Sequence, residues 1–126
     1  NAQHLGIDNI EFRQGDWLTP LADTRLDLMV SNPPYVREDD PHLAQGDVRF
    51  EPKSALIAGA NGLDAFRGII AGSSMSLKPG GWLLLEHGYD QAMAVRTLLD
   101  AHGYATVSSC RDLACHERVS TGHWPE

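Results

Sequence analysis

No apolar run in this 126-residue chain approaches the roughly 18 to 20 consecutive positions that a membrane-spanning helix needs. The strongest runs, Leu26 to Val30 and Trp82 to Leu85, are strand-sized, so a soluble domain with no membrane partner is expected. Cysteine is scarce. Cys110 and Cys115 are too few for a disulfide scaffold, and with no secretion signal read in the sequence a reducing compartment, the cytoplasm, is the default expectation. Positive charge is also short: ten Lys and Arg stand against seventeen Asp and Glu, a formal net charge of −7. That balance repels phosphate backbones over the average surface and disfavours generic nucleic-acid binding. An initiator Met, a basic n-region and an apolar h-region are missing from Asn1-Ala2-Gln3-His4, so nothing reads as a targeting signal, and the start is expected to be cut from something longer. With 42% hydrophobic residues the chain can bury one core, and no repeat or linker divides it.

The pattern along the chain alternates strands and helices. Ala2 to Leu5 suits a last helical turn closed by Gly6, and Ile10 to Arg13 suits a short strand. Leu26 to Ser31 is compact and apolar, as expected of a strand covered on both faces. From Val36 to Ala60 no period is sustained, and long connections of that kind tend to carry function. Leu63, Phe66, Ile69, Ile70 and Leu77 fall on a helical stripe that Lys78-Pro79-Gly80-Gly81 should stop, and Trp82 to Glu86 follows as a buried strand. Gln91 to His102 predicts a second helix with Gly103 at its C-cap, then Tyr104 to Cys110 and Glu117 to Trp124 a closing pair of strands. The order implies an α/β fold with a mostly parallel sheet and an antiparallel closing strand.

Asn32-Pro33-Pro34-Tyr35 stands at the carboxyl end of a strand, where open α/β sheets bind ligands. Asn32 precedes a proline and is pushed to extended backbone, while Pro33 and Pro34 fix φ and supply no N–H. Such a stiff turn can aim the Asn32 side-chain oxygen and the Pro33 carbonyl at one planar NH₂ group, with the Tyr35 ring against its face. The plainer alternative is a Pro-Pro strand terminator with a packed Tyr.

This tetrapeptide resembles the catalytic motif of Rossmann-like methyltransferases that methylate a planar amide or exocyclic amine. Asn1-Ala2-Gln3-His4-Leu5-Gly6, Gly15-Asp16-Trp17, Asp40-Pro41-His42-Leu43, Gly46-Asp47-Val48-Arg49-Phe50-Glu51-Pro52, Leu84-Leu85-Glu86-His87-Gly88, Cys110-Arg111-Asp112 and Glu117-Arg118-Val119 resemble, in the same order, bacterial protein-glutamine methyltransferases of the HemK/PrmC family. The resemblance covers nearly all of residues 1–126 as the C-terminal part of that family's catalytic domain. It implies a partial class I S-adenosylmethionine-dependent fold and methylation of the glutamine in the Gly-Gly-Gln motif of class-1 peptide release factors. The family's Gly-rich cofactor turn and its ribose-binding carboxylate have no counterpart here, so this chain alone is expected to be inactive.

Carried over by motif, Asn32, Pro33 and Tyr35 are the expected catalytic residues, with Pro34 beside them in the substrate site. Asp16 is expected to accept from the adenine amino group and Trp17 to contact the adenine, with Asn32 completing the cofactor contacts. Without the family, Asp16 reads as an ordinary strand-end carboxylate and Trp17 as a rim aromatic. Arg49, Phe50, Glu51 and Pro52 are expected to position substrate, whereas Glu38-Asp39-Asp40 reads as a solvated acidic run. His87 could approach the site as a base, or pack or cap instead, and Glu86 poses the same question. Cys110, Cys115, His116 and His123 do not have zinc-ligand spacing, so no metal is expected. The rivals are an adenine-N6 nucleic-acid methyltransferase that flips a base against Tyr35, and a non-catalytic fragment that binds a partner.

Overall fold

The computed structural model describes residues 1–126, the side chain of Val48 excepted. Four strands form one sheet: β1 (Leu26–Ser31), β2 (Leu77–Glu86), β3 (Ala105–Arg111) and β4 (Glu117–His123), in the order β1-β2-β4-β3. β1 and β2 are parallel, while β4 runs antiparallel to both β2 and β3. Three strands thus share one direction and β4 alone opposes them, wedged between β2 and β3. Two helices, α1 (Asp64–Ser73) and α2 (Ala92–Ala101), supply the crossovers that same-direction strands require.

Both helices lie on one face of the sheet. Met29, Leu83 and Leu85 point to that face and meet Phe66, Ile69 and Ile70 of α1 and Val95 and Leu99 of α2 in one cluster. Phe66, Leu83, Leu85, Val95 and Leu99 are completely buried, each contributing roughly 1.5 to 3 kcal/mol. The Tyr104 hydroxyl is hydrogen-bonded to Ser73 inside this core, and burial pushes its pKa up. Helix α2 ends where Gly103 takes φ +85° and Tyr104 N–H donates back to Leu99 O at 3.1 Å, the left-handed cap expected there.

Three expectations need correction. Ile10 to Arg13 forms no strand: among the described residues nothing pairs with it, and Ile10 and Phe12 are 49% and 80% exposed. An unpaired segment has no ladder to hold it extended. Leu77 is not the last residue of a helical stripe but the first of β2, because Leu26 pairs with it and Leu26 N–H donates to Ser76 O at 2.7 Å. β1 is covered on one face only; Leu28 and Val30, on the other, are 52% and 68% exposed, and Trp82 lies beside them on β2. The long connection is broken by short 3₁₀ turns at Pro41–Ala44, Gly46–Phe50 and Lys53–Ala55. Among the described residues no helix is long and apolar enough to cross a membrane.

His87 follows β2 and is fully buried. Its Nδ1 lies 2.9 Å from Gly88 O and its Nε2 2.8 Å from Ser120 Oγ. Ser120 in turn meets Ser109 at 2.8 Å, and Arg96 donates to Ser109 at 2.6 Å. Gly88 O can only accept, so the imidazole proton sits on Nδ1, Nε2 accepts from Ser120, and Ser120 in turn accepts from Ser109, which also accepts from Arg96. Burial holds the His87 pKa below its ordinary 6.5. The neutral ring therefore contributes stability that is present above about pH 6.5 and is lost as pH falls from there through the depressed value of the folded state. Urea denaturation at pH 7.5 and 5.5 should show the wild-type protein losing more stability than His87→Gln over that interval. Equal losses would mean that His87 is not the group that titrates.

Candidate active site

β1 delivers its last residue, Ser31, opposite Leu85 of β2, and Asn32-Pro33-Pro34-Tyr35 then leaves the sheet. Val36 is caught at once in an isolated parallel bridge with Ile57: its N–H donates to Leu56 O at 2.8 Å and its carbonyl accepts from Ala58 N–H at 3.1 Å. The turn is thus pinned at both ends while its two prolines offer no donors. Pro33 is buried, Asn32 exposed and Tyr35 half-buried against the core. Among the described residues, nothing hydrogen-bonds to the Asn32 carboxamide or to the Pro33 carbonyl. Both acceptors stay available beside a cavity of about 160 Å³ walled by the turn, Val36, Ala55 and Leu56.

Behind the turn sits Gln91, only 4% exposed. Its Nε2 donates to Tyr35 O at 3.0 Å and to Gly62 O at 3.4 Å, and its Oε1 accepts from Gly88 N–H at 2.8 Å. A second cavity, of about 320 Å³, opens on this side, with Tyr35, Arg37, His42, Asp90 and Arg118 among its walls. Arg37 pairs with Asp90 at 2.7 Å there, and Arg118 with Asp112 at 3.2 Å. Asp40 also borders it; the His42 N–H beside Asp40 holds its carboxyl below the usual range. The acidic run is therefore not uniformly solvated, since Asp40 caps the Pro41–Ala44 turn.

The remaining expected site residues are spread out. Trp17, with φ +46° and 56% exposed, lines one shallow cavity of about 290 Å³ together with Pro34, Ala58 and Asp64. Asp16 precedes it in the same turn, exposed, its carbonyl accepting from Thr19 N–H at 3.0 Å. Arg49, Phe50, Glu51 and Pro52 are exposed, with the Arg49 guanidinium 4.7 Å from the centre of the Phe50 ring, and the wall of the turn's cavity is made by Ala55 and Leu56 instead. Glu86 ends β2 opposite Val119. His87, buried and spent on Ser120 and Gly88, packs rather than serving as a base. Sequence reasoning missed Gln91 and Gly62; the signal for each was a polar or flexible residue just ahead of a helical stripe, which reads locally as a boundary.

A parallel β1–β2 pair with α1 as its crossover and an antiparallel β4 beside it define the class: an α/β fold with a mixed sheet, carrying an Asn-Pro-Pro-Tyr turn at the carboxyl end of β1. Known proteins narrow it. The chain is 53% identical over 125 residues to the release factor glutamine methyltransferase of Xylella fastidiosa strain Temecula1, covering 99% of this chain and 46% of that protein. Those of Vibrio cholerae and Escherichia coli strain K12 are 54% and 50% identical over 98% of this chain and 44% and 45% of their own length. No family model matches the chain. Among solved structures, the protein-(glutamine-N5) methyltransferase (release factor-specific) of Alicyclobacillus acidocaldarius is similar with a TM-score of 0.46 at 16% identity, over 82% of this chain and 81% of that one. Over nearly its whole length the chain is similar to these release factor glutamine methyltransferases, and it spans a little under half the length of the curated relatives it matches.

Gly62 supports the turn from below. At φ +71° it adopts a conformation that side chains avoid, and a Cβ there would lie 2.3 Å from Tyr35 O and 2.7 Å from Gln91 Nε2. Gly62→Ala should therefore destabilise the protein by roughly 1 to 3 kcal/mol, measured by urea denaturation. An unchanged midpoint would mean that the backbone around Tyr35 is loosely held.

Proposed function

We propose that this chain is the C-terminal part of a catalytic domain that transfers a methyl group from S-adenosylmethionine to the side-chain amide nitrogen of the glutamine in the Gly-Gly-Gln motif of class-1 peptide release factors, in the cytoplasm. The observation that carries this reading is the pair of disengaged acceptors, Asn32 Oδ1 and Pro33 O, held on a proline-stiffened turn beside Tyr35. The relatives' names agree with it.

A carboxamide nitrogen is a poor nucleophile because its lone pair is delocalised into the carbonyl. Asn32 and Pro33 can each accept one of its two N–H bonds, which orients the nitrogen and leaves more density on it. As positive charge grows on those N–H groups, the same two oxygens stabilise it, with little reorganisation because the prolines have already fixed the backbone. The Tyr35 ring offers a face on which the planar amide can lie. No side chain in this arrangement is placed as a strong base.

The residues present fit the adenine end of the cofactor. The exposed Asp16 carboxylate can accept from an exocyclic amine, and Trp17, the next residue, shares a shallow cavity with Pro34, Ala58 and Asp64. S-adenosylmethionine, when bound, would supply an electrophilic methyl group on a positively charged sulfur, the carbon–sulfur bond breaking as the carbon–nitrogen bond forms, so that the neutral thioether leaves and the surplus N–H proton passes to solvent.

In the natural full-length protein, Asn32→Ala should lower turnover about 100- to 1,000-fold, the usual cost of one preorganised polar contact, with a smaller change in cofactor affinity. Near-full methylation of release factor by that variant would refute the clamp. Tyr35→Phe should be mild and Tyr35→Ala severe; equal, large losses would assign the role to the hydroxyl. Offered release factor and double-stranded DNA together with labelled cofactor, the protein should label only the release factor. Label on adenine would favour the nucleic-acid reading.

A further inference from the structure

We infer that Gln91 is a positioning residue for the transfer: its buried carboxamide locks the Tyr35 end of the turn to the carboxyl end of β2 without touching any reacting atom. The inference rests on the function proposed above. Gln91 draws together three segments distant in sequence: Tyr35 of the turn, Gly62 ahead of α1, and Gly88 after β2.

The chemistry required there is narrow. Two backbone carbonyls and one backbone N–H converge on a nearly dry point, so the side chain that meets them must present two donors and one acceptor. A carboxamide does this. An ionised carboxylate would meet the Gly88 N–H but confront two carbonyl oxygens, and an aliphatic side chain would leave all three backbone groups without a partner. The fit is close on every side, since a Cβ on Gly62 or on Gly88 would stand 2.7 and 2.9 Å from the Gln91 carboxamide. Arg37 and Asp90 join the same two regions at the surface, but each is about half exposed, 50% and 45%, and such a pair is a weak clamp.

The link matters because the Asn32 and Pro33 acceptors and the Tyr35 ring sit on the short span between Ser31 and Val36. Ser31 is held by the sheet and Val36 by its bridge to Ile57. Of the two peptide groups nearest the ring, the Tyr35 carbonyl is the one that Gln91 fixes. Freed, the turn can shift on the ångström scale, which typically costs about 100-fold in a reaction governed by orientation.

Gln91→Glu and Gln91→Leu in the natural full-length protein test this by two readouts. For Gln91→Glu, kcat for release factor methylation should fall about 10- to 100-fold while the KM for S-adenosylmethionine stays within about twofold. By hydrogen exchange, Gly88 should stay protected in Gln91→Glu, which keeps the acceptor, and lose protection in Gln91→Leu. Val36 should exchange faster in both, while the core amides of Leu83 and Val95 stay protected. Unchanged kcat, a raised cofactor KM with unchanged kcat, or faster exchange at Leu83 and Val95 in step with Val36 would each overturn the inference, the last by reducing the effect to general instability. If the wild-type protein labels no release factor, it is the functional reading that has failed, and the exchange pattern alone then decides whether Gln91 holds the turn.

Discussion

Two consecutive prolines at the end of a paired strand impose the constraint on which this structure turns. Pro33 and Pro34 carry no N–H, so β1 cannot continue its ladder with β2 past Ser31. The chain must leave the sheet with its carbonyls uncommitted, at the carboxyl edge where α/β sheets present their chemistry. A flexible loop could also expose an oxygen, but it would have to be ordered at each encounter. Here the ordering entropy is spent during folding, through the fixed φ of two residues and the bridge at Val36.

The support behind that turn is polar rather than apolar. From Arg96, hydrogen bonds pass through Ser109, Ser120 and His87 to Gly88, and from Gly88 through Gln91 to Tyr35 and Gly62. Each bond contributes about 1 kcal/mol net, but an orphaned member inside the protein costs about 1 to 3 kcal/mol. The network is therefore directional and brittle where an apolar core would be tolerant. It couples the closing strands β3 and β4 to the position of one tyrosine, through donors whose order the Gly88 carbonyl sets.

Much of this could be read in the sequence, for reasons that differ by element. β1, the two helices and the closing strands follow from local period and from Gly103. The turn follows from two prolines. Ile10 to Arg13 fails because a strand is a property of two chains of backbone, and its apolar residues have none to meet among the described residues. Leu77 fails because a leucine continues a helical stripe and starts a strand equally well, and only the pairing with Leu26 decides. His87 stood out by its place after a strand, but only Ser120, 33 positions away, decides that it packs; Gln91 could not be found from local pattern, since Tyr35 lies 56 positions away and nothing local separates a glutamine that caps a helix from one that joins three segments.

The two sides of the site are held very differently. On the acceptor side, Tyr35, Gly62, Gly88 and Gln91 rest on the face that both helices cover, with buried contacts on each. On the side proposed for the adenine, residues 3–17 are exposed throughout. The Gly15-Asp16-Trp17 turn is held chiefly by its own short-range contacts, Thr19 N–H on Asp16 O and the approach of Pro20 to Gly15, where a Cβ would come within 2.3 Å of the ring. Trp17 keeps its positive φ there at a cost of about 1 to 3 kcal/mol, and nothing among the described residues packs over Leu28 and Val30 on the open sheet face beside β1. Local strain persists only where surroundings over-determine it, and here the Thr19 bond and the Pro20 ring supply that constraint. The Asn32 turn is thus held by partners drawn from distant segments, whereas the Gly15-Asp16-Trp17 turn is held by neighbours within a few positions of it.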